Sequence, residues 1–134
     1  MKAIADTGFI VAFVNRHDQH HQWAASVARQ ITAPLLTCEP VLAEDAFQVR
    51  SSSIIIELLQ DSLLTLSFNI DENLQHLKQL AIRYEDRSPD LADLCIVRMS
   101  ELYPKHSVVT VDHDFKVYRR NKRDLIPLLT PPHS

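Results

Sequence analysis

KAIADTGFIV, residues 2–11, sets a charge among core-type residues: Ala3, Ile4 and Ala5 precede Asp6, and apolar residues resume at Phe9. An apolar run of that length reads as a buried strand over Lys2–Ala5, followed by a helix over Gly8–Val14. A carboxylate at the end of such a strand is costly unless something compensates its charge. Working outward, the same alternation of short apolar runs and longer periodic ones repeats. A helix is expected over Asp18–Ile31, with Trp23, Val27 and Ile31 on its apolar stripe. Leu35–Thr37 reads as a strand, and Pro40 suits the first turn of a helix running to about Arg50.

The remainder follows suit. Ile54–Leu64 reads as a helix and Leu64–Phe68 as a strand. Asp71 is placed to cap a helix bearing Leu74, Leu77, Leu80 and Ala81. In RSPDLADLCIVRMSEL, Ser88 is the expected N-cap and Pro89 the first helical residue, with Leu91, Leu94, Cys95 and Met99 or Leu102 buried. SVVTVD (Ser107–Asp112) reads as a strand, and LIPLL (Leu125–Leu129) as another at a sheet edge, because Pro127 cannot donate to a ladder. Strands separated by helices predict an α/β fold of three layers, α/β/α, around a central, mainly parallel sheet. Ligands collect at the carboxyl ends of the strands in such sheets.

The 134 residues suit one domain spanning 1–134, and an apolar share of 46% argues against disorder. No stretch approaches the ~20 apolar residues of a membrane helix, and the N-terminus lacks the apolar core of a signal peptide. Together these predict a cytoplasmic protein without membrane attachment. Cys38 and Cys95, the only cysteines, sit in apolar contexts and read as buried free thiols. Gly8 is the only glycine, which excludes a glycine-rich phosphate loop. The net charge of −3 hides a local excess of positive charge at Lys116, Arg119, Arg120, Lys122 and Arg123, within KVYRRNKR. Such a stretch is either a solvated loop or a contact for phosphates.

Asp6 and Asp112 both fall at the carboxyl ends of predicted strands, with Asp114 two residues on. Glu44 lies one turn after Pro40, and Asp90 and Asp93 share a face near the start of their helix. Taken singly, each has an ordinary use as a helix cap, a turn residue or a solvated side chain. Together, carboxylates held close repel one another and invite a cation. An all-oxygen set with open positions suits Mg²⁺ or Mn²⁺, and the matching chemistry is metal-assisted phosphodiester hydrolysis.

The order ADTGFIVAFVNRHDQHH, LLTCEPVLAEDAFQVR, YEDRSPDLADLCIVRMSE and SVVTVDHDFKVYRR resembles a PIN-domain ribonuclease, and is similar above all to the VapC-type toxins of toxin–antitoxin pairs. The resemblance runs from Lys2 to about Leu128, and DLADLCIVRMSE followed by TVDHDF is its most specific part. It implies an endoribonuclease using Mg²⁺ or Mn²⁺, acting on RNA, forming homodimers and restrained by an antitoxin protein. Carried onto this chain, it assigns Asp6, Glu44, Asp93 and Asp112 as catalytic metal ligands, with Asp114 as an accessory or alternative fourth. Thr7, Asp90 and Thr110 become supporting residues behind those ligands, and Lys116, Arg119, Arg120, Lys122 and Arg123 contacts to the RNA backbone. Asp45 replaces an expected apolar residue and, ~100° around the helix from Glu44, is expected outside the cluster. The polar RSSS at Arg50–Ser53 is a second departure.

Three histidines, His17, His20 and His21, sit in a surface-helix context and suit loop packing or the substrate rim rather than a metal. A non-catalytic PIN-like module binding RNA or protein is the alternative function. Haloacid-dehalogenase phosphatases need an Asp where this chain has Gly8, and receiver domains need a paired acid set and a distal Lys that have no counterpart here. The apolar IIIELLQDSLL suits either a partner surface or a plain core helix.

Overall fold

The computed structural model describes residues 1–132. Five strands form one parallel sheet: β1 (Ala3–Ala5), β2 (Leu35–Thr37), β3 (Leu64–Leu66), β4 (Ser107–Val109) and, past a short ribbon, β7 (Leu128–Leu129), in the order β3-β2-β1-β4-β7. The ribbon pairs β5 (Arg119–Arg120) with β6 (Asp124–Leu125) in antiparallel fashion. Helices α1 (Phe9–Val14), α2 (His21–Ala28), α3 (Glu39–Val49), α4 (Ser52–Gln60), α5 (Leu74–Arg83) and α6 (Leu91–Leu102) flank the sheet. The result is the expected three-layer α/β/α arrangement. Every pairing in the main sheet is parallel.

The strands carry continuous apolar runs because both faces are covered. Ile4, Val108 and Val109 are wholly buried, as are Ile96 and Met99 of α6. Each such side chain contributes roughly 1.5–3 kcal/mol through removal from water. Cys38 and Cys95 are free and buried. The Cys95 thiol beside Cys38, together with burial, pushes the Cys38 thiol far above its ordinary range. Phe9 meets Trp23 edge to face at 5.9 Å, joining α1 to α2.

Several boundaries differ from the sequence expectation, each for a local reason. α2 is shorter at both ends: Asp18 Oδ1 accepts the His20 N–H at 2.8 Å, forming a turn before the helix starts. The His21 ring donates through Nδ1 to the Ala12 carbonyl at 2.7 Å, so this histidine fastens α2 to α1. Asp71 opens a short 3-10 turn rather than capping α5 directly. Ser88 takes a left-handed conformation (φ 47°) closing a preceding turn, and Asp90 is the true cap of α6, its Oδ1 accepting the Asp93 N–H at 2.8 Å. Pro89 therefore precedes the helix.

RSSS finds its use at the α3–α4 corner. Arg50 ends α3 at φ 57°, and the Ser51 hydroxyl caps α4 by accepting the Ile54 N–H. SVVTVD forms strand over its first three residues; the Thr110 N–H still donates to the Leu129 carbonyl at 3.0 Å, and Val111 and Asp112 then leave the sheet. LIPLL divides: Leu125 joins the ribbon, while Leu128 and Leu129 form the edge strand expected beside Pro127.

Candidate active site

β1 and β4 are neighbours, so the segments leaving their carboxyl ends emerge side by side. The Asp6 N–H donates to the Val109 carbonyl at 3.0 Å, and this fixes the point at which the carboxylate leaves the sheet. Asp6 is 4% exposed. Its Oδ1 accepts the Thr7 N–H and its Oδ2 accepts the Thr110 hydroxyl, both at 2.8 Å. Thr110 Oγ1 in turn accepts the Asp112 N–H at 3.0 Å. One hydroxyl thereby couples the two strand-end aspartates.

α3 and α6 supply the other walls. Glu44 Oε2 accepts the Thr7 hydroxyl at 3.4 Å, and Glu44 Oε1 accepts the Gln48 amide at 3.2 Å. Asp93, in the first turn of α6, lies within reach of the Tyr118 hydroxyl at 3.5 Å from its Oδ2. The resulting cleft is lined by Asp6, Thr7, Gly8, Glu44, Gln48, Asp90, Asp93, Val111 and Asp112. Five of those residues are acids and none is a Lys, Arg or His. Asp114 does not line it; its N–H donates to Asp112 Oδ1 at 2.9 Å while its own side chain is exposed.

The electrostatics follow from burial without compensation. Burial raises the Asp6 carboxyl from 3.8 to about 7, against the lowering effect of Thr110 and Thr7, and the Asp93 and Asp112 charges add to the rise. Asp93 rises to about 6 through burial and the neighbouring charge of Asp90. Burial also pushes the Tyr118 phenol well up. No cation lowers any of these acids. The donor set is hard oxygen throughout, which suits Mg²⁺ or Mn²⁺ rather than a thiol- or imidazole-preferring ion. Among the described residues no three His, Cys, Asp or Glu side chains converge in chelating geometry; the acids ring the cleft instead.

Asp45 is absent from the residues lining the cleft, but it is not at the surface either. It is 0% exposed, and its Oδ1 accepts the Gly8 N–H at 3.4 Å. Its Oδ2 has no hydrogen-bond partner among the described residues. Burial pushes its carboxyl from 3.8 to about 8, with the Asp6 and Glu44 charges contributing. Turning ~100° from Glu44 carried this side chain inward, onto the buried stripe with Val41, not outward. The i, i+4 spacing Val41–Asp45–Val49 was the available signal. Consecutive residues of α3 thus hold consecutive residues of the β1–α1 turn: Glu44 the Thr7 hydroxyl, Asp45 the Gly8 N–H. Gly8 adopts φ 93°, and a Cβ there would collide with the Val111 side chain.

The basic stretch is only partly available. Arg119 Nη1 donates to the carbonyls of Lys116 at 2.6 Å and Tyr118 at 3.0 Å. Arg120 Nη1 donates to the Ser100 and Pro104 carbonyls, both at 3.2 Å. Arg120 thus holds the ribbon to the end of α6 and Arg119 braces the turn before the ribbon, while Lys116, Lys122 and Arg123 are exposed.

The family model described as PIN domain matches residues 3–121. No curated protein matches the chain.

Proposed function

The chain belongs to the PIN-domain family, whose members are generally nucleases using divalent ions, and from that premise we propose a Mg²⁺- or Mn²⁺-dependent endoribonuclease. The observation carrying this reading is the cleft of five acids with no basic residue in its lining. Asp6, Glu44, Asp93 and Asp112 are the residues that would hold the ion, with Asp114 at most accessory. When bound, such an ion polarises a water and screens charge growing on the phosphodiester.

The chain's own residues prepare that chemistry. Thr7 and Thr110 fix both oxygens of Asp6, and the Thr110 bond to the Asp112 N–H ties the β4 exit to the same carboxylate. Asp90 caps α6 and so sets the position of Asp93. With carboxyls raised to about 7 and about 6, Asp6 keeps its proton part of the time at neutrality and Asp93 sheds most of its own just below it, so a cation binding there competes with protons.

The finer reading is the toxin of a type II toxin–antitoxin pair, acting in the cytoplasm. The VapC-type resemblance supports the toxin role, and two free buried cysteines fit a reducing compartment. No helix among the described residues is long and apolar enough to cross a membrane. α4 buries Ile55 but leaves Ile54 and Ile56 40% and 52% exposed, and Phe47 of α3 is 82% exposed. That apolar surface supports contact with an antitoxin protein or a second copy of the chain.

An inactive PIN-like binding module is the second reading, favoured by the absence of preformed chelating geometry among the described residues. Cleavage of single-stranded RNA in Mn²⁺ separates the two. Asp6→Asn and Asp93→Asn should each lose at least about 100-fold in rate, since each deletes a charge from the metal site. Equal rates in wild type and both variants would sink the mechanism, and RNA binding without cleavage in any divalent metal would establish the second reading.

A further inference from the structure

A second cleft, of opposite charge, lies between α5, α6 and the turn joining β5 to β6. It opens a space of about 260 Å³ lined by His76, Gln79, Arg83, Arg98, Glu101 and Lys122, among others. Its only carboxylate is already committed. Glu101 Oε1 accepts from Arg98 Nη1 at 3.1 Å, and Glu101 Oε2 accepts the Asn121 N–H at 2.6 Å. Arg98 is further fixed by donating from Nε to Asn73 Oδ1 at 2.9 Å, which presents its guanidinium as a rigid, partly free donor fork. Among the described residues the Arg98–Glu101 pair is the one salt bridge, so Arg83 and Lys122 have no carboxylate partner.

The acid cleft on its own repels a polyanion. A nuclease built around it needs positive charge elsewhere to seat the strand, and Arg119 and Arg120 each tie Nη1 to backbone carbonyls. Side chains link the basic cleft to the acid site. Tyr118, which reaches Asp93, packs edge to face on Tyr84 at 5.1 Å, and Tyr84 adjoins Arg83 in the chain. Along α6, Arg98 follows Asp93 by ~7.5 Å of rise and ~140° of turn, so the two clefts open on different sides of the helix and a strand using both bends round it.

We propose that the phosphodiester backbone of the RNA crosses this cleft, seated on Arg83, Arg98 and Lys122, on its way round α6 to the acid site. The inference rests on the nuclease reading for the identity of the strand, and it moves the main phosphate grip from the KVYRR segment to the α5–α6 face. His76 and Gln79 add hydrogen-bonding groups two turns and one turn before Arg83 on the same side of α5.

The test is fluorescence anisotropy of a fluorescein-labelled single-stranded RNA of about 12 nucleotides, long enough to span both clefts at ~3.4 Å per step. It is run in EDTA over a salt series, so that no cleavage intervenes. The double variant Arg83→Glu/Lys122→Glu is compared with Arg16→Glu/Arg29→Glu, which changes net charge equally but away from the cleft. The first should bind at least about tenfold more weakly, with a log–log salt slope shallower by ~1.4, the share of two phosphate contacts on a single strand. The second should stay within about threefold of wild type at an unchanged slope. Mn²⁺ affinity of R83E/K122E by calorimetry should match wild type, showing the acid site intact. Binding by R83E/K122E within threefold of wild type, equal losses in both doubles, or no RNA binding by wild type at low salt would each overturn the proposal. A wild type that binds RNA with this sensitivity yet never cleaves it upholds the cleft and removes the nuclease reading alone.

Discussion

Asp45→Asn should make the metal-free protein more stable. The wild-type carboxyl is enclosed, has one oxygen without a partner, and is raised by burial from 3.8 to about 8. The folded chain therefore keeps a proton that the unfolded chain releases. Stability from this group is fully present below pH 3.8 and is lost as pH rises through about 8. The slope between those limits is ~1.4 kcal/mol per pH unit, which sets a ceiling near ~4 kcal/mol at neutral pH. Asp6 and Glu44 share in the rise, so Asp45 alone accounts for on the order of 2 kcal/mol. Asparagine keeps an oxygen for the Gly8 N–H and never ionises. At this chain length the gain corresponds to roughly 6 °C in Tm. Circular-dichroism melts in EDTA at pH 5 and pH 8 measure it, and the gain should be larger at pH 8. A variant melting no higher than wild type at pH 8, or gaining equally at both pH values, would refute the account of Asp45 as an uncompensated buried acid.

Mn²⁺ should raise the Tm of the wild type and EDTA should reverse it. The increase should be greater at pH 8 than at pH 5.5, because Asp6 at about 7 and Asp93 at about 6 must first shed protons; a pH-independent shift would count against those two as ligands. Gly8→Ala should destabilise by about 2 kcal/mol or more, combining left-handed strain with the Val111 collision, and a melt within 1 °C of wild type would show that the turn relaxes freely.

Much of the architecture was open to a reader of the sequence because burial on both faces leaves continuous apolar strands. Ala3–Ala5, Leu35–Thr37 and Leu128–Leu129 announce themselves in that way. Helix starts were harder. Ser88 and Asp90 are both good caps, and choosing between them depends on which one can turn its side chain back to a free N–H; Asp90 does so for Asp93. The acids were visible as strand-end residues, but their linkage through Thr110 depends on β1 and β4 being neighbours, a fact of topology rather than of local pattern. That Asp45 stands where an apolar residue is expected was legible, and its i, i+4 relation to Val41 and Val49 marks the core side of α3; its bond to the Gly8 N–H depends on how α3 packs against the β1–α1 turn. Arg119 and Arg120 show the converse: a run of basic residues need not be a free surface, since the Lys116 and Tyr118 carbonyls accept from Arg119 and those of Ser100 and Pro104 from Arg120.

The bond from the Thr110 hydroxyl to Asp6 spans 104 positions of chain, and that separation governs when the acid site can first assemble. A ribosome that has released residues 1–89 has delivered Asp6, Glu44 and Asp45, but neither Asp93 nor the hydroxyl that orients Asp6. Such long-range closure comes late in folding. Emerging chains therefore carry no assembled acid site before Thr110 and Asp112 have left the ribosome.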